Sequence, residues 1–370
     1  MSAQAKVKKR QSNLELFRIF LMLGIVAHHY VVHSGLLDLV YASGGKLSTQ
    51  NLFIVILGMW GKIGINCFVL ITGYFMCKSK ITLEKFLKLV LQVIFYDAII
   101  YFGFVLLGKT ELTLSGIKDA FFPIPGFTAN FTGCFLVFYL FIPFLNILIA
   151  NLDRKKHLML LVLSIFWFSL VAVMPDFPVA VNYVFWFMII YIIGAYIRLY
   201  LPKPNRRQLR VSIVIAVGCV AICIASVIFG LKMGREWLYW FVMDSNKFLA
   251  VIMSVALFML FLNIKMKYHP VINKIASATF GVLLIHDNGW VMRRILWVSL
   301  LKNASFYGRK MLYIHAPLAI LGTFMVCVII DLLRAKFLEK PALKLALRWS
   351  RSRVLRRLLC CREKDQIRAS

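Results

Sequence analysis

Ten apolar runs, each close to the length of a bilayer-spanning helix, dominate this 370-residue sequence. They fall near residues 14–34, 52–77, 86–108, 131–150, 157–174, 180–200, 210–231, 238–262, 275–300 and 312–333. A helix needs about 20 mostly apolar residues to cross a hydrocarbon core, where lipid offers nothing to bond an open backbone group. The pattern therefore predicts an all-α, polytopic membrane bundle of about ten transmembrane helices. Charge content agrees with that class: 16% of the residues are charged, against about 25% in soluble domains.

The formal net charge of +29 would by itself suit a nucleic-acid partner. Its distribution argues otherwise. Of the 44 lysines and arginines, 31 lie in the N-terminal start, in "KSKITLEKFLK", "NLDRKKH", "RLYLPKPNRRQLR" and "NIKMKYHPVINK", and in the C-terminal tail. With ten spans these segments share one side, and short cation-rich segments stay cytoplasmic. Both termini are therefore expected in the cytoplasm, and no nucleic-acid partner is expected. The first run follows a basic start but lacks a small-residue cleavage site, so it reads as a retained span. Eight scattered cysteines without a C-x-x-C pair point to neither a metal site nor a disulfide framework.

The chain divides into a transmembrane domain, residues 1–335, and a basic amphipathic tail, residues 336–370. In the tail Leu343, Leu347, Val354, Leu355, Leu358 and Leu359 recur at helical spacing among arginines, the pattern of a helix lying on inner-leaflet lipids.

A charge at the bilayer centre costs about 2.5–3.5 kcal/mol on insertion scales, so ionisable groups within apolar runs are candidates for function. The first run holds Glu15, Arg18, His28, His29 and His33; the third holds Asp97. Asp244, Asn246 and Lys247 mark the eighth, and His286, Asp287, Asn288, Arg293 and Arg294 the ninth. Arg18 and His29 stand eleven positions apart, about three turns or 16 Å along one helix face, while His28 points a quarter-turn away. An arginine offers a planar fork to phosphate or carboxylate, and a histidine exchanges a proton near neutral pH. Seven-residue spacing puts His286 with Arg293 and Asp287 with Arg294. His33, near the outer end of its run, reads as structural, and Asp97 as a partner for a buried cation.

"LELFRIFLMLGIVAHHYVVHSG" resembles the opening of the acyltransferase 3 family, whose signature is an arginine, ten residues, then a histidine; Arg18 and His29 occupy those positions. "GKIGINCFVLITGYFM" is similar to the family's second-helix motif, with Thr72 where serine is usual, and "FGVLLIHDN" to its late helix ending in histidine, with Leu283 where tyrosine is common. "FLEKPAL" resembles the motif closing the last span. The resemblance implies transfer of an acyl group from cytoplasmic acyl-coenzyme A, acetyl-CoA in the simplest case, to a hydroxyl of a surface glycan or lipid-linked saccharide, in a bacterial plasma membrane. It implies that Arg18 orients the donor and that His29 acts as general base or carries the acyl group, with His286 on the acceptor side. Thr72 and Tyr74 would donate to the oxyanion, Lys85 and Lys88 would hold nucleotide phosphates, and Lys247 and Arg293 are further substrate-binding cations. No metal or prosthetic group is expected. The residues alone leave two other classes open: a transporter or flippase using the same Arg, His and Asp groups, and a structural membrane subunit.

Overall fold

The computed structural model describes residues 10–122, 130–174, 181–202, 205–234 and 237–350. It is 80% helical and contains no strand among the described residues. Helix α1 (Ser12–Val32) runs through the middle of the bundle. Short α2 (Leu36–Ala42) follows, then α3 (Thr49–Gly58) and α4 (Gly61–Met76), which together make one span broken at Met59 and Trp60. Broken backbone at membrane depth must find partners within the protein. Here the Gly58 carbonyl meets Nδ1 of His28 at 2.5 Å.

Helices α5 (Leu83–Leu106), α6 (Leu114–Phe121) and α7 (Phe131–Ala150) form one flank, followed by α8 (Arg154–Ile165), which continues through wider and tighter turns to Val173. Next come α9 (Tyr183–Tyr200) and α10 (Arg206–Met233). Most of these starts are written locally. Ser48, Thr82, Thr113, Asn130, Asp153, Asn182 and Asn205 each accept a backbone N–H from the first turn of the helix that follows. Such caps satisfy donors that an α-helix leaves open at its N-terminus.

The eighth and ninth runs depart from simple spans. Helix α11 (Phe248–Asn263) starts ten residues later than the apolar run at 238–262 suggests. The polar stretch Asp244–Lys247 explains the delay, because its side chains bond backbone elsewhere. Asn246 Nδ2 donates to Phe168 O at 3.0 Å and Lys247 Nζ to Ala172 O at 2.6 Å. The ninth run divides into α12 (Pro270–Ser277), α13 (Thr279–His286), α14 (Gly289–Arg293) and a π-helical turn over Arg294–Leu300. Among the described residues, eight helical segments are long and apolar enough to cross a membrane, and Phe248–Asn263 and Pro270–His286 are shorter apolar ones, which is compatible with about ten membrane segments.

Helix α15 (Leu312–Arg334) continues through a π-helical turn into α16 (Lys340–Ser350). The helix crosses the expected domain boundary at 335 without a break. Val354, Leu355, Leu358, Leu359 and the two chain ends lie outside the described residues. A buried polar network ties α15 to α5. Asp331 Oδ1 accepts from Gln92 Nε2 at 3.0 Å, from Tyr96 OH at 2.8 Å and from Arg334 Nε at 2.8 Å. Arg334 also reaches Glu339 at 3.5 Å, which pairs with Lys88 at 2.7 Å.

Helices α4 and α9 cross backbone to backbone, as small residues permit in membranes. A Cβ on Gly73 would stand 2.4 Å from Tyr191 O, and one on Gly194 2.5 Å from Leu70 O. Neither carbonyl belongs to a flexible side chain, so the helices themselves must move apart. Gly73→Ala and Gly194→Ala are each expected to destabilise the fold by about 1–3 kcal/mol. Gly103 meets nothing within 4 Å, so Gly103→Ala is expected to be neutral or to stabilise α5 by about 0.5–1 kcal/mol. Thermal unfolding of the three purified variants checks the contrast.

Candidate active site

Arg18, His28 and His29 of α1, His33 at its C-terminal cap and one break after α13 build the central site. His29 and His33 stand one turn apart on α1, with ring centroids 4.9 Å from each other. Helix α13 ends at His286, and Gly289 with φ +72 turns the chain before α14 begins. That left-handed turn is open to glycine without the steric cost other residues incur. It brings Asp287 back towards α1 and lets Arg293 clasp it. Arg293 Nε donates to Asp287 Oδ1 at 2.5 Å and Arg293 NH2 to Oδ2 at 3.1 Å.

This corrects the pairing expected from seven-residue spacing: Arg293 goes to Asp287, not to the His286 side. The reason is the break, since a repeat of seven holds only along an unbroken helix. Asp97 accepts from Asn288 Nδ2 at 2.8 Å instead of pairing with a buried cation. His33 belongs to the site, its Nε2 lying 3.7 Å from Asp287 Oδ1, as does His29 Nδ1.

His286 is fully buried and faces His29, with 2.9 Å between His286 Nε2 and His29 Nδ1. Its other nitrogen, Nδ1, contacts Val282 O at 2.6 Å. A carbonyl only accepts, so the proton of neutral His286 sits on Nδ1 and its Nε2 is an acceptor. His29 must then donate through Nδ1, which leaves His29 Nε2 with a free lone pair. One backbone carbonyl thus sets the tautomers of both rings.

A cavity of about 380 Å³ connects these groups, lined among others by Arg18, His28, His29, His33, Lys62, Thr72, Asp287 and Arg293. Arg18 and His29 therefore do share one cavity, as their spacing predicts. His28 lines it as well, since the cavity wraps more of α1 than one narrow face. Its ring is nevertheless tied to the α3–α4 break through Gly58. Arg18 and Arg10 each lie 3.7 Å from the single carboxylate of Glu15. At the other end Lys62 Nζ donates to Tyr183 OH at 2.5 Å.

The remaining candidates fall elsewhere or are otherwise engaged. Thr72 lines the cavity, but its hydroxyl donates to Phe68 O at 2.9 Å, so its one proton is already spent. Tyr74 faces a different cavity and accepts from Arg198 Nη1 at 2.9 Å. Lys85 is exposed and donates to Lys80 O at 3.2 Å, and Lys88 pairs with Glu339. Lys247 is buried over the Trp240 ring, away from the histidines. Sequence reasoning set His33 aside as structural and did not single out Lys62. The first was available from its i+4 relation to His29, and the second from its place at the head of "GKIGINCF".

Ligating atoms of His29, His33 and Asp287 lie within 4.8 Å of one another, which is metal-ligand geometry in outline. Arg293 occupies both oxygens of Asp287, and Arg18 and Lys62 line the same cavity.

The fold and site together define a polytopic helical membrane protein with a histidine–aspartate cluster beside a cavity lined by Arg18 and Lys62 inside its bundle. A family model described as an acyltransferase domain, that of the acyltransferase 3 family, matches residues 11–332, so the chain belongs to that family and is a membrane acyltransferase. No curated protein and no solved structure matches it.

Proposed function

We propose that this membrane acyltransferase moves an acetyl group from cytoplasmic acetyl-CoA to a hydroxyl of a cell-surface or lipid-linked glycan, in a bacterial plasma membrane with both chain termini inside. The observation that carries the reading is the His29–His286–Val282 chain, which leaves His29 Nε2 as an unoccupied base within a cavity that also holds Arg18.

The acceptor hydroxyl gives its proton to His29 Nε2 as its oxygen attacks the thioester carbonyl. His29 becomes an imidazolium, stabilised by the Asp287 carboxylate 3.7 Å from Nδ1. Collapse of the tetrahedral intermediate breaks the carbon–sulfur bond, and the thiolate recovers the proton from Nε2. The ester product and free coenzyme A leave, and His29 returns to its starting tautomer because His286 never surrenders its Nδ1 proton. Arg18, about 16 Å further along α1, orients the donor. Arg293 holds Asp287 in place with two parallel bonds, a geometry that lysine cannot reproduce.

Isolated membranes supplied with acetyl-CoA provide the test. The expected result is stoichiometric release of free coenzyme A and a mass increase of one acetyl group on a surface glycan, both lost on deletion. A transporter would release no coenzyme A and leave the glycan mass unchanged.

A further inference from the structure

A second cavity, of about 800 Å³, opens among the C-terminal ends of α4, α9 and α11 beside the start of α1. Arg10, Lys78, Arg198 and Lys265 line it, and no carboxylate does. Arg10 has one acidic neighbour, Glu15 at 3.7 Å, which it shares with Arg18. Lys78, Arg198 and Lys265 have no ion-pair partner among the described residues. Arg198 is held in place from one side: Nη1 donates to Tyr74 OH and the guanidinium lies 4.8 Å from the Tyr74 ring centroid. Its remaining N–H groups stay available as a fork.

Four cations gathered around one hollow repel each other until an anion enters. The hollow falls within the range of about 300–1,000 Å³ that holds small-molecule ligands. Phosphate esters match this chemistry, since an arginine fork takes two oxygens and lysines add point charges. Helices α1 and α4 form walls of both cavities: Thr72 lies on the histidine cavity and Tyr74, two residues on, on this one.

We propose that this second cavity binds the phosphorylated nucleotide half of coenzyme A, a reading that rests on acyl-CoA being the donor. The polyanion then stays at the basic end of the bundle, and only the uncharged arm with its thioester needs to travel to His29. Burial of phosphates at membrane depth, which is costly, is avoided.

Phosphate is also carried by inner-leaflet lipid headgroups, and the experiment separates the two sources. Titration calorimetry on the purified full-length chain measures free coenzyme A and adenosine 3′,5′-bisphosphate, in nanodiscs with and without phosphatidylglycerol. The Lys78→Gln/Lys265→Gln double variant and Arg198→Gln are each expected to weaken both ligands by about tenfold or more. Lys46→Gln binds like wild type, and the double variant keeps the wild-type melting temperature. Wild-type binding of coenzyme A with undiminished binding by the variants would overturn the site and leave the donor reading intact. Wild-type protein that binds neither ligand overturns both. Displacement of the bisphosphate by phosphatidylglycerol, with the variants losing lipid and not coenzyme A, assigns the cavity to a headgroup and also overturns the proposal.

Discussion

A His29→Ala protein is expected to insert and fold normally and to lose acyl transfer by a factor of about 10²–10⁴, the usual contribution of a positioned general base. The neighbouring histidine provides the control. His28 bonds the Gly58 carbonyl at the α3–α4 break, so His28→Ala should lower thermal stability while each folded molecule keeps substantial activity. His286→Ala leaves the base in place but frees its tautomer; a smaller loss of turnover with a changed pH profile is expected. Arg18→Lys keeps the charge without the fork and should not restore activity. Glycan acetylation measured by mass spectrometry, beside a melting curve for each variant, separates chemistry from folding. Normal acetylation by His29→Ala would remove His29 from the mechanism.

The largest stability effect is expected at Asp331. Its carboxylate accepts from Gln92, Tyr96 and Arg334 and is nearly inaccessible. Asp331→Ala leaves the Arg334 cation buried without its closest partner, and breaking a buried pair from one side costs about 3–5 kcal/mol. Removing both charges is a different matter. An Asp331→Leu/Arg334→Met protein should recover much of that loss, since a packed apolar pair can match a buried ion pair. Gly281→Ala should resemble Asp331→Ala, because its new Cβ would stand 2.2 Å from Asp331 Cγ. Melting temperatures in detergent decide the case, and equal stability of wild type and Asp331→Ala would refute it.

The run lengths and the cation distribution made the helical membrane class legible, because both follow from the solvent alone. The facing of Arg18 and His29 was legible for a similar reason: α1 is unbroken between them, so spacing translates directly into direction. Asp287 and Arg293 were not. Their meeting depends on a turn at Gly289 inside an apolar run, and hydropathy does not register a single residue of positive φ. The ion pair of Lys88 was hidden for a third reason. Its place in a cation-rich segment is visible in the sequence, but Glu339, some 250 residues away, becomes its neighbour only through the packing of α5 against α16.

The continuous helix Leu312–Arg348 has a mechanical consequence. Its 37 residues extend about 55 Å, whereas the hydrocarbon core is about 30 Å thick. The excess length is not a free arm, because α16 packs against α5 and Glu339 pairs with Lys88 there. Two turns earlier Asp331 presses against Gly281 of α13, the helix that carries His286. The long helix is therefore a splint that ties α5 to α13.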